Sequence, residues 1–314
     1  MIDFRYHIIS IVAIFLALAT GIALGAGPLK GSINQQLVDE ADRDRQDKLE
    51  LRYDLDQAEL VAAFQDGFAT EAAPELLATS LDGRTVAIIS LPGADSAISR
   101  GLAAEVERAG GTVTGTVRIE PALLDPQNRQ VAEGVATQVL DGVNGVPSTD
   151  DASSYQLVGY SLARGFLTTQ PEGAPSDVAA QTIAASYRET DYLSVDESLD
   201  RRANLAVVVA GGPSRSQEPG QNELLTTLVE AMDAASGGVV VAGATPSAQD
   251  DGYLKAVRDS DATKDVSTVD VADTVAGQVV VVLALAEQGL GESGQYGGVN
   301  AVDGAVPDVV FPSR

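Results

Sequence analysis

The sequence predicts an α/β protein in which a transmembrane helix and a long charged, coiled-coil-like helix precede a mostly parallel sheet with helices on both faces. Three observations support this: an uncharged run at residues 8–26, a charged run without proline at 29–70, and a strand–turn–helix–Gly-Gly–strand pattern that occurs twice further on. They predict four segments: 1–28 as a cytoplasmic tip and transmembrane anchor, 29–78 as a helical stalk, 79–296 as an extracytoplasmic α/β domain, and 297–314 as an extended tail.

The uncharged run is long enough to cross a membrane. As a helix it measures about 28 Å, close to the ~30 Å hydrocarbon core of a bilayer. It is longer than the ~7–15 apolar residues of a secretory signal, so it favours an uncleaved anchor. Cleavage near Ala23-Leu24-Gly25 is the alternative, because these residues are small enough.

Small residues recur along the anchor at four-residue steps. This spacing places Ala17, Gly21 and Gly25 on one helix face, where another membrane helix could approach closely. A chain rich in small residues also produces such spacing without function, and that alternative stays open.

The positive charges on the two sides of the anchor are nearly equal, with Arg5 and the terminal amine on one side and Lys30 on the other, so they do not decide its orientation. Long domains cross membranes largely regardless of charge, so we expect the amino terminus inside and the carboxy-terminal domain outside. The absence of cysteine agrees with this placement, because a chain without thiols forms no disulfides in an oxidising compartment.

The charged run at 29–70 predicts a helix. Oppositely charged residues at helical spacing, such as Asp39 with Arg43 and Asp44 with Lys48, would stabilise it by a few tenths of a kcal/mol each. The function predicted for it is a dimeric coiled coil that lifts the outer domain off the bilayer. A single solvated helix docked on its own domain is the alternative. The apolar residues at three- and four-residue steps are Leu37, Ala41, Leu51, Leu55, Ala58 and Ala62. The predicted partner contacts are Leu37, Arg43, Arg45, Leu51, Arg52 and Leu55.

The α/β domain rests on the repeated pattern, which spans 85–119 and then 205–242. Continuous apolar runs such as 205–210 are typical of strands buried on both faces of a parallel sheet. Together the two units predict a Rossmann-like domain. The first unit contains a strand at 85–90, a helix at 96–109 and a strand at 112–119; the second contains a strand at 205–210, a helix at 221–235 and a strand at 239–242.

The remaining segments predict shorter elements. The apolar helix at 274–288 is too short for a second membrane span and is expected to pack on the sheet. The segment 155–166 is either a helix or a short strand, and 297–314 adds an edge strand, docks across the domain or stays loose. The other predictions are helices at 125–143, 177–187 and 251–259, and strands at 192–195 and 266–269.

The chemistry-bearing residues point away from catalysis. The turns after 85–90 and 205–210 match no nucleotide-binding glycine motif, and each contains a proline, which removes a backbone donor. The only histidine, His7, lies beside the anchor and there is no cysteine, so a nucleophile–histidine arrangement cannot form in the outer domain. The aspartates between Asp259 and Asp265 lack the glycine and glutamate of a calcium loop. We therefore expect no enzyme activity, catalytic residue, cofactor or metal site.

The net charge of −25 argues against negatively charged partners. Such a surface repels nucleic acid and anionic lipid headgroups, so we expect no nucleic-acid partner. A protein with a basic face is easier to accommodate.

The amino-terminal string MIDFRYH, the anchor that follows it directly, the exit ALGAGPL at 23–29, the charged helix and the α/β domain together resemble the actinobacterial MctB/SteB family. The resemblance covers essentially the whole chain and implies two functional alternatives. One is copper efflux as a component of an outer-membrane channel. The other is action at the division septum with the membrane protein SteA, where the family regulates peptidoglycan hydrolysis during cell separation.

The copper-ligating residues available in the chain favour one of these alternatives over the other. Cu(I) prefers thiolates and thioethers and Cu(II) prefers imidazoles, but the chain has no cysteine, Met1 and Met232 as its methionines, and His7 as its histidine. We therefore favour a single-pass septal adaptor without copper chemistry. The expected partners are a second copy of the chain, a SteA-like membrane protein and the coiled-coil segment of a peptidoglycan hydrolase.

Overall fold

A computed structural model describes residues 4–25, 29–195, 200–213 and 220–308, with side chains described from Arg5 to Gly25 and from Asp39 onwards. The chain divides into two compact units, Met1–Phe64 and Gln65–Arg314. The division lies inside one long helix, so the second unit begins with the last turns of that helix.

The first unit consists of helix α1 (Phe4–Gly25) and most of helix α2 (Leu29–Leu77). Arg5–Gly25 has the length and composition to cross a membrane, and all of its side chains are exposed. This confirms an apolar amino-terminal helix of the kind that anchors proteins in membranes.

The last turns of α2 belong to the second unit. Pro74 lies inside the helix, where proline ordinarily costs about 3 kcal/mol because it removes a backbone hydrogen bond. Ala73 and Leu77 on either side of it are fully buried in the core of the second unit. Their burial stabilises the helix across the proline.

The second unit is built on a seven-stranded sheet, which confirms the predicted α/β class. Neighbouring strands are parallel except for the edge pair of β2 (Thr112–Ile119) and β4 (Leu193–Val195). A separate antiparallel pair joins β3 (Ala174–Pro175) to β5 (Arg201–Arg202). The order across the sheet is β4 (Leu193–Val195), β2 (Thr112–Ile119), β1 (Thr85–Ser90), β6 (Leu205–Ala210), β7 (Val239–Gly243), β8 (Ser267–Val269) and β9 (Gln295–Tyr296).

Helices cover both faces of this sheet, as predicted. One core lies under α4 to α8, and the other lies under α3, α9 and the end of α2. The central strands supply both cores because their side chains alternate, Ala87 and Ile89 facing one and Val86 and Ile88 facing the other. The helices are α3 (Ser96–Arg108), α4 (Arg129–Leu140), α5 (Ser154–Phe166), α6 (Val178–Glu189), α7 (Gln221–Asp233), α8 (Tyr253–Arg258) and α9 (Val275–Gln288).

Two sequence predictions gain detail. The segment left open at 155–166 is the helix α5, and a capping box between Ser153 and Gln156 fixes its start. The predicted helix 125–143 begins as a 3₁₀ turn over Pro126–Asn128, and its α-helical part ends at Leu140. Helix α9 is a buried core helix, as its length predicts.

The chain after β9 is held by a buried ion pair. Arg258 Nη1 lies 2.8 Å from Asp270 Oδ2, and the two side chains are 5% and 0% exposed. Asp270 accepts the backbone N–H groups of Gly298 and Val299 at 2.7 and 2.8 Å, and Arg258 donates to the carbonyl of Tyr296 at 2.8 Å. The pair therefore docks the segment around residues 296–299 on the domain.

Candidate functional site

The stalk surface, by which we mean the side chains of α2 from Asp39 to Phe64, is the most unusual surface of the described chain. Every side chain in it is exposed. An isolated surface helix normally turns its apolar residues towards a core, and contiguous exposed apolar residues mark interaction sites. The large apolar side chains that are more than half exposed are Leu49, Leu51, Tyr53, Leu55, Leu60, Val61 and Phe64.

One side of the stalk surface carries the predicted contacts. At about 100° per residue, Leu51, Leu55, Ala58 and Ala62 lie on a single side, which we call the pairing face. Their steps of four, three and four residues are the spacing of a coiled-coil seam. The side chain of Leu37 lies outside the described residues.

The predicted arginines do not form one patch. Arg45 and Arg52 are seven residues apart, so they lie within about 20° of each other along the helix. Arg43 lies roughly on the opposite side. All three are exposed.

A second apolar side escaped the sequence prediction. Leu49, Tyr53, Leu60 and Phe64 lie within about 60° of one another, on the side opposite the pairing face. We call this the aromatic face. The steps of four, seven and four residues between its residues could have indicated this face in the sequence. The prediction missed it because the seam through Leu51 is sufficient by itself to explain the helical periodicity.

The anchor face predicted from Ala17, Gly21 and Gly25 is open. A Cβ added at Gly21 or Gly25 would meet no atom within 4 Å. Successive residues of this set are rotated by only about 40° around the helix axis, so all three lie on one side of α1. Within the described residues nothing occupies this face.

The sheet contains a second candidate, a crevice of about 270 Å³ at the carboxyl ends of β1 and β6. The strand order reverses between these strands, which is where open α/β sheets bind ligands. Its described lining contains no charged side chain. The two loops also touch, since a Cβ at Gly211 would lie 2.6 Å from the carbonyl carbon of Gly93. The described lining of the crevice therefore presents no cation to a phosphate group.

Titratable groups with altered environments serve the fold. Burial raises the pKa of Asp233 to about 7, although the N–H of Val239, 2.9 Å from its Oδ1, stabilises the charged form. Burial also raises the pKa of the Tyr253 phenol in the crevice wall. Among the described residues no three His, Cys, Asp or Glu side chains are grouped to hold a metal ion.

Comparison with known proteins identifies relatives along nearly the whole chain. A family model described as "Copper transport outer membrane protein, MctB" matches residues 1–307. The protein named "Copper transporter MctB" of Mycobacterium tuberculosis (strain ATCC 25618 / H37Rv) is 29% identical over 306 residues, covering 95% of this chain and 96% of the relative. Its namesake in Mycobacterium leprae (strain TN) is 27% identical over 307 residues, with the same coverage of both chains.

Proposed function

The chain belongs to the MctB family, and from this premise we propose that it is a membrane-anchored, extracytoplasmic adaptor that acts through protein contacts on its stalk rather than through catalysis. The observation that carries the proposal is the stalk surface, whose large apolar side chains are more than half exposed. A surface of this kind is stabilised when another chain covers it.

A second copy is the partner proposed for the pairing face. Anchors in one membrane hold two copies parallel and side by side, which is the arrangement that a parallel coiled coil needs. Leu51 and Leu55 would then pack against their counterparts. The exposed Arg52 at the border of this face would contact acidic residues of the second stalk.

The family resemblance extends the proposal to the cell surface at the division septum. There the small-residue face of Ala17, Gly21 and Gly25 would contact a SteA-like membrane protein, because small residues let two membrane helices approach closely. The stalk would present its helical surface to the coiled-coil segment of a peptidoglycan hydrolase and so regulate cell separation.

Copper is the cargo that the relatives' names state, and the donor set of this chain fits it poorly. The chain has no cysteine and a single histidine, His7, which lies on α1. The side chain of Met232 is fully buried, and Met1 lies outside the described residues. Soft sulfur and imidazole ligands are what copper selects, so copper handling is the weaker proposal for this chain.

Complementation in the host tests the proposal. Deleting the gene should leave chains of unseparated cells, and the parent protein, located at midcell, should restore separation. Leu51→Glu with Leu55→Glu should fail to restore it, because charges at the seam prevent pairing, while the exposed substitution Glu50→Gln should succeed.

Two results would contradict the adaptor. One is normal separation in the deletion strain together with increased copper sensitivity. The other is a rise in the thermal stability of the purified chain with stoichiometric copper that a chelator reverses. Protease added to intact spheroplasts should also degrade the second unit, since the proposal places that unit outside the membrane.

A further inference from the structure

A cavity of about 620 Å³ lies between α3 and the carboxyl ends of β1 and β2. We call it the β1–β2 cavity. It adjoins the crevice between β1 and β6, since the loop at 91–93 lines both, but it differs from the crevice in having charged side chains in its described lining. Its volume falls in the range of roughly 300–1,000 Å³ that is typical of small-molecule sites. The charged lining residues are Arg100, Arg118 and Glu120.

Helix α3 turns one side towards the β1–β2 cavity. Residues that lie three, four and seven positions after a given residue share one side of a helix with it, and the four lining residues of α3 have this spacing. Of these, Ser99 is buried and Arg100 is exposed, so the helix supplies both a buried hydroxyl and an exposed guanidinium. The four residues are Ser96, Ser99, Arg100 and Ala103.

The sheet supplies a row of polar residues at the same level. Ser90 on β1 is the register partner of Arg118 on β2, and Arg118 is in turn the partner of Ser194 on β4. Side chains of register partners lie on the same face of a sheet. Arg118 Nη1 donates to Ser194 Oγ at 3.2 Å, and Ser194 donates to Glu120 Oε1 at 2.7 Å. The row therefore positions the Arg118 guanidinium and gives the Glu120 carboxylate a hydrogen-bond donor.

A buried pair of hydroxyls in the cavity wall holds one hydrogen that no described residue accepts. Ser90 Oγ and Ser99 Oγ are 3.0 Å apart, and both residues are 7% exposed and line the cavity. Two hydroxyls carry two hydrogens, and the bond between them uses one. Neither hydroxyl has another hydrogen-bond partner among the described residues. Buried polar groups are ordinarily hydrogen-bonded, so this pair is suited to an oxygen atom of a ligand.

We propose that the β1–β2 cavity binds a small molecule through a carboxylate of that molecule. Guanidinium groups have the planar donor geometry that matches a carboxylate, and the hydroxyl pair adds a further donor. Two arginines and one glutamate give the described lining one excess positive charge, although the net charge of the chain is −25. A singly charged ligand neutralises that excess. The inference concerns the second unit alone and does not depend on the stalk contacts proposed above.

The loop between β1 and α3 favours a carboxylate over a phosphate. Phosphates at such positions are typically held by backbone N–H groups of the loop and of the helix start. Here Pro92 has no N–H, and the N–H groups of Leu91 and Ala94 already donate to backbone carbonyls at 2.9 and 3.0 Å. The side chain of Asp95 accepts a backbone N–H of the first turn of α3 at 2.8 Å. The anion must therefore be held by side chains.

The apolar part of the wall determines the rest of the ligand. Apolar side chains surround the charged ones, so a ligand with a small apolar body next to its carboxylate fits the lining. The free carboxy terminus of a short peptide with small side chains has this chemistry. The apolar residues are Leu91, Ala103, Ile119 and Pro121.

The test uses the full chain in lipid nanodiscs and two probes, acetyl-alanyl-alanine and the same dipeptide with its carboxylate converted to an amide. Saturation-transfer NMR should detect binding of the acid only, and titration of the acid gives its dissociation constant. Arg100→Gln should raise that constant at least about tenfold, because a hydrogen bond between charged groups is lost. Arg188→Gln is the matched control, since Arg188 is an exposed arginine of α6 outside the described lining, and its binding should equal that of the parent. Empty nanodiscs measure adsorption to lipid.

A second variant tests the hydroxyl pair. Ser90→Ala with Ser99→Ala removes both partners of one buried hydrogen bond, which is ordinarily close to neutral for stability, so its melting temperature should stay near that of the parent. Its binding of the acid should weaken several-fold, because the donor for the carboxylate is gone.

Four results would overturn the inference. They are equal binding of the acid and the amide, no detectable binding of the acid at about 10 mM, unchanged binding in Arg100→Gln, and displacement of the acid by inorganic phosphate at lower concentrations than by acetate. The last result would assign the cavity to phosphate instead. Far-UV circular dichroism checks that each variant keeps its fold. All of these measurements are made on the second unit, so none of them decides whether the stalk pairs.

Discussion

Removal of the Asp270 carboxylate should loosen the carboxy-terminal segment and destabilise the whole second unit. Asp270 is fully buried and pairs with Arg258 at 2.8 Å, while also accepting two backbone N–H groups at 2.7 and 2.8 Å. Breaking a buried pair by removing one partner ordinarily costs about 3–5 kcal/mol, because the remaining charge stays buried without compensation. For a unit of this size that corresponds to a fall in melting temperature of roughly 6–20 °C.

Differential scanning calorimetry of the Asp270→Ala variant measures this cost, and hydrogen exchange should show the amides around residues 296–299 losing protection first. Asp261→Ala is the matched control. Asp261 pairs with Lys264 at 2.6 Å, but those side chains are 88% and 71% exposed. Such exposed pairs contribute little, so no shift should be resolved. Equal melting temperatures for the two variants would refute the role assigned to the buried pair.

Three further substitutions test other parts of the second unit. Asp233 has a pKa of about 7 against an ordinary 3.8, so the native state binds more protons than the unfolded state between these values and stability falls as the pH rises across them. The stability of Asp233→Asn relative to the parent should therefore increase from about pH 4 to 7 and then level off in denaturant titrations. Gly211→Ala should cost about 1–3 kcal/mol in the same assay, because its Cβ would lie 2.6 Å from the carbonyl carbon of Gly93. Ser161→Ala should cost about 1–3 kcal/mol, because it leaves the buried Tyr187 hydroxyl, 2.6 Å from Ser161 Oγ, without that partner.

Each of these has a control in the same unit. Asp150→Asn, at an exposed loop position, should show no comparable change with pH. Gly212→Ala should be tolerated, since its Cβ would lie 3.7 Å from Pro246. Tyr187→Phe should cost only about 1 kcal/mol, because Ser161 keeps its hydrogen bond to a backbone carbonyl. A flat pH difference for Asp233→Asn, or equal stability of the paired variants, would contradict the reasoning.

The central strands could be predicted almost to the residue because their pattern is local. Residues 86–89 and 205–210 are apolar throughout, as is typical of strands buried on both faces of a sheet. Helix α5 was left undecided, although Ser153 and Gln156 form a capping box that is visible in the sequence. The two-residue strands, such as β9, form only through pairing with a strand that is distant in the sequence, so no local sequence pattern predicts them.

The sequence prediction covered one side of the stalk helix and did not include the other. The seam through Leu51 and Leu55 follows coiled-coil spacing, and the structure exposes both residues. The aromatic face has an equally regular spacing, but the sequence does not show that both sides of one helix are exposed. The ion pair of Arg258 and Asp270 could not be predicted from the sequence either, because the segment 296–299 that it contacts is brought near by the pairing of β9 with β8.

The stalk also links helix stability to association. Most protein helices are stabilised by packing of one apolar side, and ion pairs such as Asp39 with Arg43 would supply only a few tenths of a kcal/mol each. The described side chains from Asp39 to Phe64 are all exposed, so no packing within the unit supplies the remainder. Upstream of Leu51 the seam positions are occupied by Asp44 and Lys48, which weakens pairing further. Confinement of parallel copies by a membrane anchor raises their effective concentration and offsets that weakness. A stalk released from its anchor should therefore lose helix content on dilution, whereas the full chain in a bilayer should retain it.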